Sequence, residues 1–254
     1  MNDSRNINQK ELLIAKKAAK KAGVFLKNHK NALTKVLSSS NKDIKLKADI
    51  SAENLIIDII SKESNIPILA EESGISTNNI YDSFWVVDPL DGTVNYSRGI
   101  PFSCVSIALI LNLKPVLGVI YDFNNNDLYE GSVHTKALLN GFEISVSNIN
   151  HPNKGMLITG LPNKTDYTDG ALSQMVKDFQ HWRKVRMIGS AAIASVYVAS
   201  GKADLYKEKK TYLWDVAAGA AIVNAAGGEA LITNQNENFQ VDVYFSNSHL
   251  KIQP

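Results

Sequence analysis

Between Glu11 and Leu26, apolar residues recur at Leu12, Ala15, Ala19, Ala22 and Leu26, a helical spacing, while Lys16, Lys17, Lys20 and Lys21 fall on the other faces. The pattern predicts an amphipathic helix whose lysines form a solvated face. Residues 31–48 carry Ser, Asn and Lys with little periodicity, which predicts an exposed loop or loose hairpin. A second helix is expected next, with Leu55, Ile56, Ile59 and Ile60 as its buried stripe and Asp49 or Ser51 as its N-cap. Two short apolar runs follow, Ile66–Ala70 and Phe84–Val87. Each ends in carboxylates, so they read as strands that deliver Glu71-Glu72 and Asp88.

From Phe102 to Val146 the pattern is strand-like and antiparallel, with runs Val105–Leu111, Val116–Tyr121 and Leu128–Gly131 and a last piece after the hairpin turn Asn140-Gly141. Beyond residue 147 strands alternate with helices: Leu157–Thr159, a helix over Ala171–Phe179, Val185–Ile188, and a helix over Ala191–Ser200. An alanine-rich helix over Val216–Ala226, stopped by Gly227-Gly228, precedes short strands around Leu231 and Val243. The expected organisation is an α+β half over 1–147 followed by an α/β half over 148–254.

A chain of 254 residues has room for one large domain or two closely packed halves. Twenty-seven Lys and Arg against twenty-five Asp and Glu leave a charge of +2, which does not point to nucleic acid or a membrane surface as the main partner. The one cysteine, Cys104, excludes an internal disulfide and fits a reducing compartment; inside an apolar strand it reads as core. The five histidines lack metal spacing. The polar start Met1-Asn-Asp-Ser-Arg-Asn6 has no apolar region of a secretory signal, and no apolar run approaches the roughly 18 residues of a membrane span, so a cytoplasmic protein is expected.

Chemistry concentrates in Trp85-Val-Val-Asp-Pro-Leu-Asp-Gly-Thr-Val-Asn95, where a strand runs into Asp88 and, after a Pro, into Asp91 and Gly92. Such a turn aims two carboxylates at one point, as a hard cation such as Mg²⁺ requires, although Asp-Pro and Asp-Gly are also ordinary turn dipeptides. Ile68-Leu-Ala-Glu-Glu-Ser-Gly74 brings another acid pair to a strand end, and Leu213-Trp-Asp-Val-Ala-Ala-Gly219 sets Asp215 at the mouth of an apolar helix. Asp215 could simply cap that helix, but with the acids at 71, 88 and 91 a shared metal cluster is the better account.

Those motifs in that order, Glu-Glu-Ser at 71–73, Asp-Pro-Leu-Asp-Gly-Thr at 88–93 and Trp-Asp-Val-Ala-Ala-Gly at 214–219, resemble the inositol monophosphatase family of magnesium-dependent, lithium-sensitive phosphatases, over nearly the whole chain. The resemblance implies a layered αβαβα sandwich of the inositol monophosphatase/fructose-1,6-bisphosphatase type, usually a homodimer. It implies two or three Mg²⁺ ions: Glu71, Asp88 and the Leu90 carbonyl at one, Asp88, Asp91 and Asp215 at a second, and Glu71 at a weaker third. Thr93, partnered by Asp49, would orient the attacking water, and the amides of Gly92 and Thr93 would meet phosphate oxygens.

For the alcohol, Gly189-Ser-Ala-Ala192 matches a pocket-lining segment that includes Ser190 and Ala191, and Glu208 matches an acid that binds a sugar or inositol hydroxyl; both favour a phosphorylated polyol or sugar. Read without the resemblance, they are a helix-start turn and an exposed loop charge. Ala70 stands where the family usually has Gly, Leu46 where it often has Thr, and the hairpin Gly131–Ala137 lacks the usual glycines. Lys207, Lys209 and Lys210 make the substrate loop unusually basic, which leaves open a fructose 1,6-bisphosphate or a 3′(2′),5′-nucleoside bisphosphate substrate. Some relatives bind the transcription machinery, a non-enzymatic alternative.

Overall fold

The computed structural model describes residues 3–34, 36–39, 44–76, 82–161 and 167–251. Helix α1 (Asp3–Asn28) starts before the predicted Glu11 and buries Ala15, Ala18, Ala19, Ala22 and Leu26. After a short turn of helix, α2 (Lys30–Leu33), strands β1 (Val36–Ser39) and β2 (Ile44–Leu46) pair antiparallel where the sequence predicted an exposed loop or loose hairpin; positions 35 and 40–43 lie outside the described residues. Helix α3 (Lys47–Glu63) follows at once. Its N-cap is Leu46, not Asp49 or Ser51. Asp49 sits in the first turn and reaches back, its Oδ2 accepting the Leu46 N–H at 2.6 Å, so the orphan donor is satisfied from inside the helix.

An eight-stranded sheet follows, built from β3 (Ile68–Ala70), β4 (Gly74–Ile75), β5 (Ser83–Asp91), then, beyond helix α4 (Thr93–Arg98), β6 (Cys104–Leu111), β7 (Lys114–Asp122), β8 (Asp127–Ser132), β9 (Thr135–Leu139) and β10 (Phe142–Glu143). Its order is β10-β9-β8-β7-β6-β5-β3-β4, and the β3–β5 pairing is the parallel one. On β6, Val105, Ile107 and Leu109 pack with α1 and α3, while Cys104, Ala108 and Ile110 join the second core. Burial on both faces is why this strand is apolar throughout rather than alternating.

The rest of the chain gives β11 (Met156–Thr159), α5 (Asp169–Gln180), β12 (Lys184–Arg186), α6 (Ala191–Ala199), β13 (Leu205–Tyr212), α7 (Leu213–Ala225), β14 (Glu229–Thr233) and β15 (Gln240–Ser246). The five strands are ordered β12-β11-β13-β15-β14. Residues 205–212 are a correction: the segment read as a basic loop is the central strand. Lys207, Glu208, Lys209 and Lys210 deny it an apolar pattern because this stretch borders the site described below rather than core.

Helices α6 and α7 fill the space between the sheets. Helix α7 lies close enough that a Cβ on Gly118 of β7 would come within 2.2 Å of the Ala218 carbonyl oxygen, and one on Gly219 within 2.2 Å of Ser195 Cβ on α6. Only small residues permit such contact, which accounts for the Ala-Ala-Gly-Ala-Ala run. With α1 and α3 outside the first sheet and α5 outside the second, across a cleft of about 1350 Å³, the layers run α, β, α, β, α. Among the described residues no helix is long and apolar enough to cross a membrane.

Candidate active site

The site begins where β5 loses regular pairing. Asp88 opposes Ser106 and Asp91 opposes Cys104, so the β5 side carries one residue more than β6 and the strand bulges at Pro89, which has no N–H to lose. The Leu90 N–H turns in to Asp88 Oδ1 at 2.9 Å. Gly92, at φ +86°, then reverses the chain into α4. Thr93 Oγ1 lies 3.1 Å from Asp49 Oδ1 and 3.0 Å from the Leu90 carbonyl, so its single hydroxyl hydrogen can serve either acceptor.

Parallel pairing of β3 with β5 sets Ala70 beside Val87, and the Glu71 N–H continues the ladder to the Val87 carbonyl at 3.1 Å. Glu71 is therefore brought alongside Asp88. The following residue is anchored by Glu53, whose Oε2 accepts the Glu72 N–H at 2.8 Å, and by a Lys45–Glu72 ion pair. Asp215, in the first turn of α7, repeats the Asp49 arrangement: its Oδ2 accepts the Tyr212 N–H at 3.1 Å and the Thr211 hydroxyl at 2.7 Å. Asp91 Oδ2 accepts the Ser190 hydroxyl at 2.5 Å and the Ala192 N–H at 2.8 Å, with Cys104 Sγ at 3.8 Å.

These acids share one electrostatic environment. Burial raises Glu71 and Asp88 well above the carboxylate range; the charge of Asp215 raises Glu71 further, against a hydrogen bond with Asp88, and the charge of Glu71 raises Asp88. Burial also raises Asp91, against the hydrogen bonds from Ser190 and Ala192. Asp215 is pushed up to about 8 by burial and then by Asp91. Asp49 rises to about 6 and Glu208 to about 7, both through burial first.

Such clustering of like charge is unfavourable without a cation. Among the described residues none of the Lys or Arg ion pairs involves Glu71, Asp88, Asp91 or Asp215. Nor are three His, Cys, Asp or Glu side chains gathered there as a finished metal cage. The donor set nevertheless fits a hard divalent ion: four carboxylates, Asp88 and Asp91 buried and Glu71 and Asp215 half-buried, of which Asp91 and Asp215 spend Oδ2 on protein donors and leave Oδ1 for a ligand.

A cavity of about 240 Å³ opens beside them, lined by Asp91, Gly189, Ser190, Ala191, Glu208 and Asp215 together with Thr159, Gly160 and Tyr206. Glu71, Asp88, Leu90, Gly92, Thr93 and Asp49 are not on its walls; they belong to the 88–93 turn and to the segments bonded to it. A sequence profile of the inositol monophosphatase family matches residues 8–250. The chain belongs to that family.

Within the inositol monophosphatase family, the chain is 39% identical to the Nus factor SuhB of Xylella fastidiosa over 216 residues, 84% of this chain and 78% of the relative. It is 32% identical to the inositol monophosphatase of Mesembryanthemum crystallinum over 239 residues, 91% of this chain and 88% of that one. The solved inositol monophosphatase structure from Anabaena superimposes with a TM-score of 0.83 at 32% identity, covering 95% of this chain and 92% of its own. Membership makes the layered fold that of a phosphatase family.

Three residues at the site escaped the sequence reading. Thr211 holds Asp215, and its place four residues earlier in an otherwise basic stretch was the available signal. Tyr206 donates its hydroxyl to Glu208 Oε2 at 3.0 Å from the same side of β13, a period-two relation visible only once the segment is known to be a strand. Asn95 joins the turn to residues 188–189, across a separation no local pattern reports.

Proposed function

We propose that the protein is a magnesium-dependent phosphoric monoester hydrolase acting on a small polyol or sugar monophosphate, inositol monophosphate being the leading candidate. The observation that carries this is the convergence of Glu71, Asp88, Asp91 and Asp215, buried or half-buried carboxylates whose pKa values are all raised, by desolvation first and at Glu71, Asp88 and Asp215 by neighbouring acids as well, with no ion pair to Lys or Arg among the described residues. Glu71, Asp88 and the Leu90 carbonyl would hold one Mg²⁺, Asp88, Asp91 and Asp215 a second, and Glu71 a weaker third. Bound there, the ions would neutralise phosphate charge and acidify water.

The chain's own groups supply the rest. With its hydroxyl hydrogen given to Asp49 rather than to the Leu90 carbonyl, Thr93 would have its oxygen left to accept a hydrogen bond from the attacking water. Asp49, at about 6, takes up the proton passed along that pair near neutral pH. The Gly92 and Thr93 amides offer donors to phosphate oxygens. Glu208, held by Tyr206, accepts a hydroxyl of the alcohol beside Gly189, Ser190 and Ala191.

The monophosphate is favoured over a bisphosphate because Lys207 pairs with Asp178 at 3.7 Å on α5, across the cleft, rather than serving a second phosphate. Phosphate release measured across inositol, sugar and nucleoside mono- and bisphosphates, with Mg²⁺ and with EDTA, tests this reading. Turnover that survives EDTA, or none on any ester, refutes it. The Nus-factor names of the SuhB relatives support an interaction role alongside catalysis, since every carboxylate of the set is retained.

A further inference from the structure

The turn that carries Asp88 and Asp91 and the segment that carries Ser190 are far apart in the chain, 99 residues between Asp91 and Ser190, and one side chain ties them together. Asn95 is buried in α4. Its Nδ2 donates to the Phe102 carbonyl at 2.9 Å, the Ile188 carbonyl at 2.8 Å and the Gly189 carbonyl at 3.1 Å. Three carbonyl oxygens thus converge on one NH₂ group. Without that donor their dipoles would face one another with no shared partner, at two half-buried positions, Phe102 and Ile188, and one exposed one, Gly189, an arrangement that costs free energy. The three acceptors also fix the amide's orientation, because the flipped form would set Oδ1 against them.

The surroundings leave no slack. A Cβ on Gly189, at φ +69°, would come within 3.1 Å of Asn95 Nδ2; one on Gly92 would come within 2.4 Å of the Phe102 carbonyl oxygen and 3.4 Å of the Gly189 carbonyl oxygen. The two glycines and the amide interlock, so the height of the 188–190 segment above the Gly92 turn is set by Asn95. Directly after the clamped carbonyls come the Ser190 hydroxyl and the Ala192 N–H that hold Asp91 Oδ2.

We propose that Asn95 is the positioning residue that registers the alcohol-binding segment against the phosphate-binding turn, and so governs recognition of the alcohol more than the chemical step. The kinetic part rests on the function proposed above; the positional part does not.

Asn95→Ala and Asn95→Asp test it, with Asn95→Ser, whose hydroxyl can still donate to one carbonyl, as the conservative variant. Amide hydrogen exchange of the metal-free protein should quicken about tenfold over 187–194 in Asn95→Ala, more in Asn95→Asp and less in Asn95→Ser, with the remainder of the chain unchanged. In the Mg²⁺-loaded enzyme, Asn95→Ala should raise KM for inositol 1-phosphate about tenfold while kcat changes less than about threefold. 4-Nitrophenyl phosphate, which lacks polyol hydroxyls, should keep its KM.

Unchanged exchange over 187–194 overturns the clamp. Equal kcat losses on both substrates, with KM steady, overturn the specificity role and leave a merely structural one. Should Asn95→Ala and Asn95→Asp fail to fold, Asn95→Ser carries both measurements with the same criteria. If the wild-type protein releases phosphate from neither ester, the proposed function fails while the exchange result still decides the clamp.

Discussion

Replacing Asp215 by Asn should make the metal-free protein more stable and at the same time less responsive to magnesium. Asn preserves the local geometry, since its amide oxygen can accept the Thr211 hydroxyl and the Tyr212 N–H that Asp215 Oδ2 accepts now. What it removes is a negative charge that burial and Asp91 resist, to the point of lifting the group to about 8 from 3.8. A folded-state pKa raised above the unfolded one contributes stability that is present at low pH and is lost as pH rises towards the folded value. Between pH 5 and pH 8 the wild-type protein should therefore lose stability that the Asn variant keeps. At about 1.4 kcal/mol per pH unit the ceiling over that window is about 4 kcal/mol, and because the acids titrate as a set we expect about 2–4.

For a chain of this size that is about 5–15 °C in Tm. Melting by calorimetry in EDTA should show the variant well above wild type at pH 8, closer to it at pH 5 and level with it only below about pH 4, the unfolded carboxylate range. Saturating Mg²⁺, at a hundredfold Kd worth about 2.7 kcal/mol per ion, should raise the wild type more than the variant, which loses a ligand only at the ion shared by Asp88, Asp91 and Asp215. A variant that melts below wild type in EDTA at pH 8, or that keeps the full magnesium shift, refutes the reasoning.

Alanine at Thr93 and at Asp49 should be strongly non-additive in kcat, the double variant little worse than the poorer single, because the two act through one hydrogen bond; additive losses would separate their roles. Glu208→Gln should stabilise the metal-free protein at pH 8 by about 1–2 kcal/mol and hardly at pH 5, since Glu208 titrates at about 7, and pH-dependent melting checks the sign. Gly219→Ala should cost about 1–3 kcal/mol in urea unfolding, because its Cβ has to displace Ser195, with metal affinity at Asp215 left within about threefold.

The parts legible in the sequence were those in which residue type and function coincide locally. Asp88, Pro89, Asp91 and Gly92 must be what they are for the bulge and the reversal to form, and the alanines of α7 record the narrow gap that the helix fills. What stayed hidden depends on contacts between distant segments. Strand β13 has too few apolar residues to announce itself, because its polar end borders the two clefts. The N-caps were misread at Asp49, where a carboxylate at the third helical position does the work expected of the cap residue. Neither the Tyr206–Glu208 bond nor the reach of Asn95 to residue 188 could be inferred before the strands were in place.

The burial of α7 between the sheets also bears on whether the chain can be divided. Its Val216, Ala217, Ala218, Ile222 and Val223 complete a core made jointly by strands before residue 143 and strands after residue 156. A chain severed in the connection between Glu143 and Met156 would yield a first fragment with one face of its sheet bared and a second with its helices bared. Neither piece should remain dispersed alone, yet the two expressed together should find each other through that face. Because Glu71, Asp88 and Asp91 would travel on one fragment and Asp215 on the other, recovery of phosphatase activity would report the reunion directly.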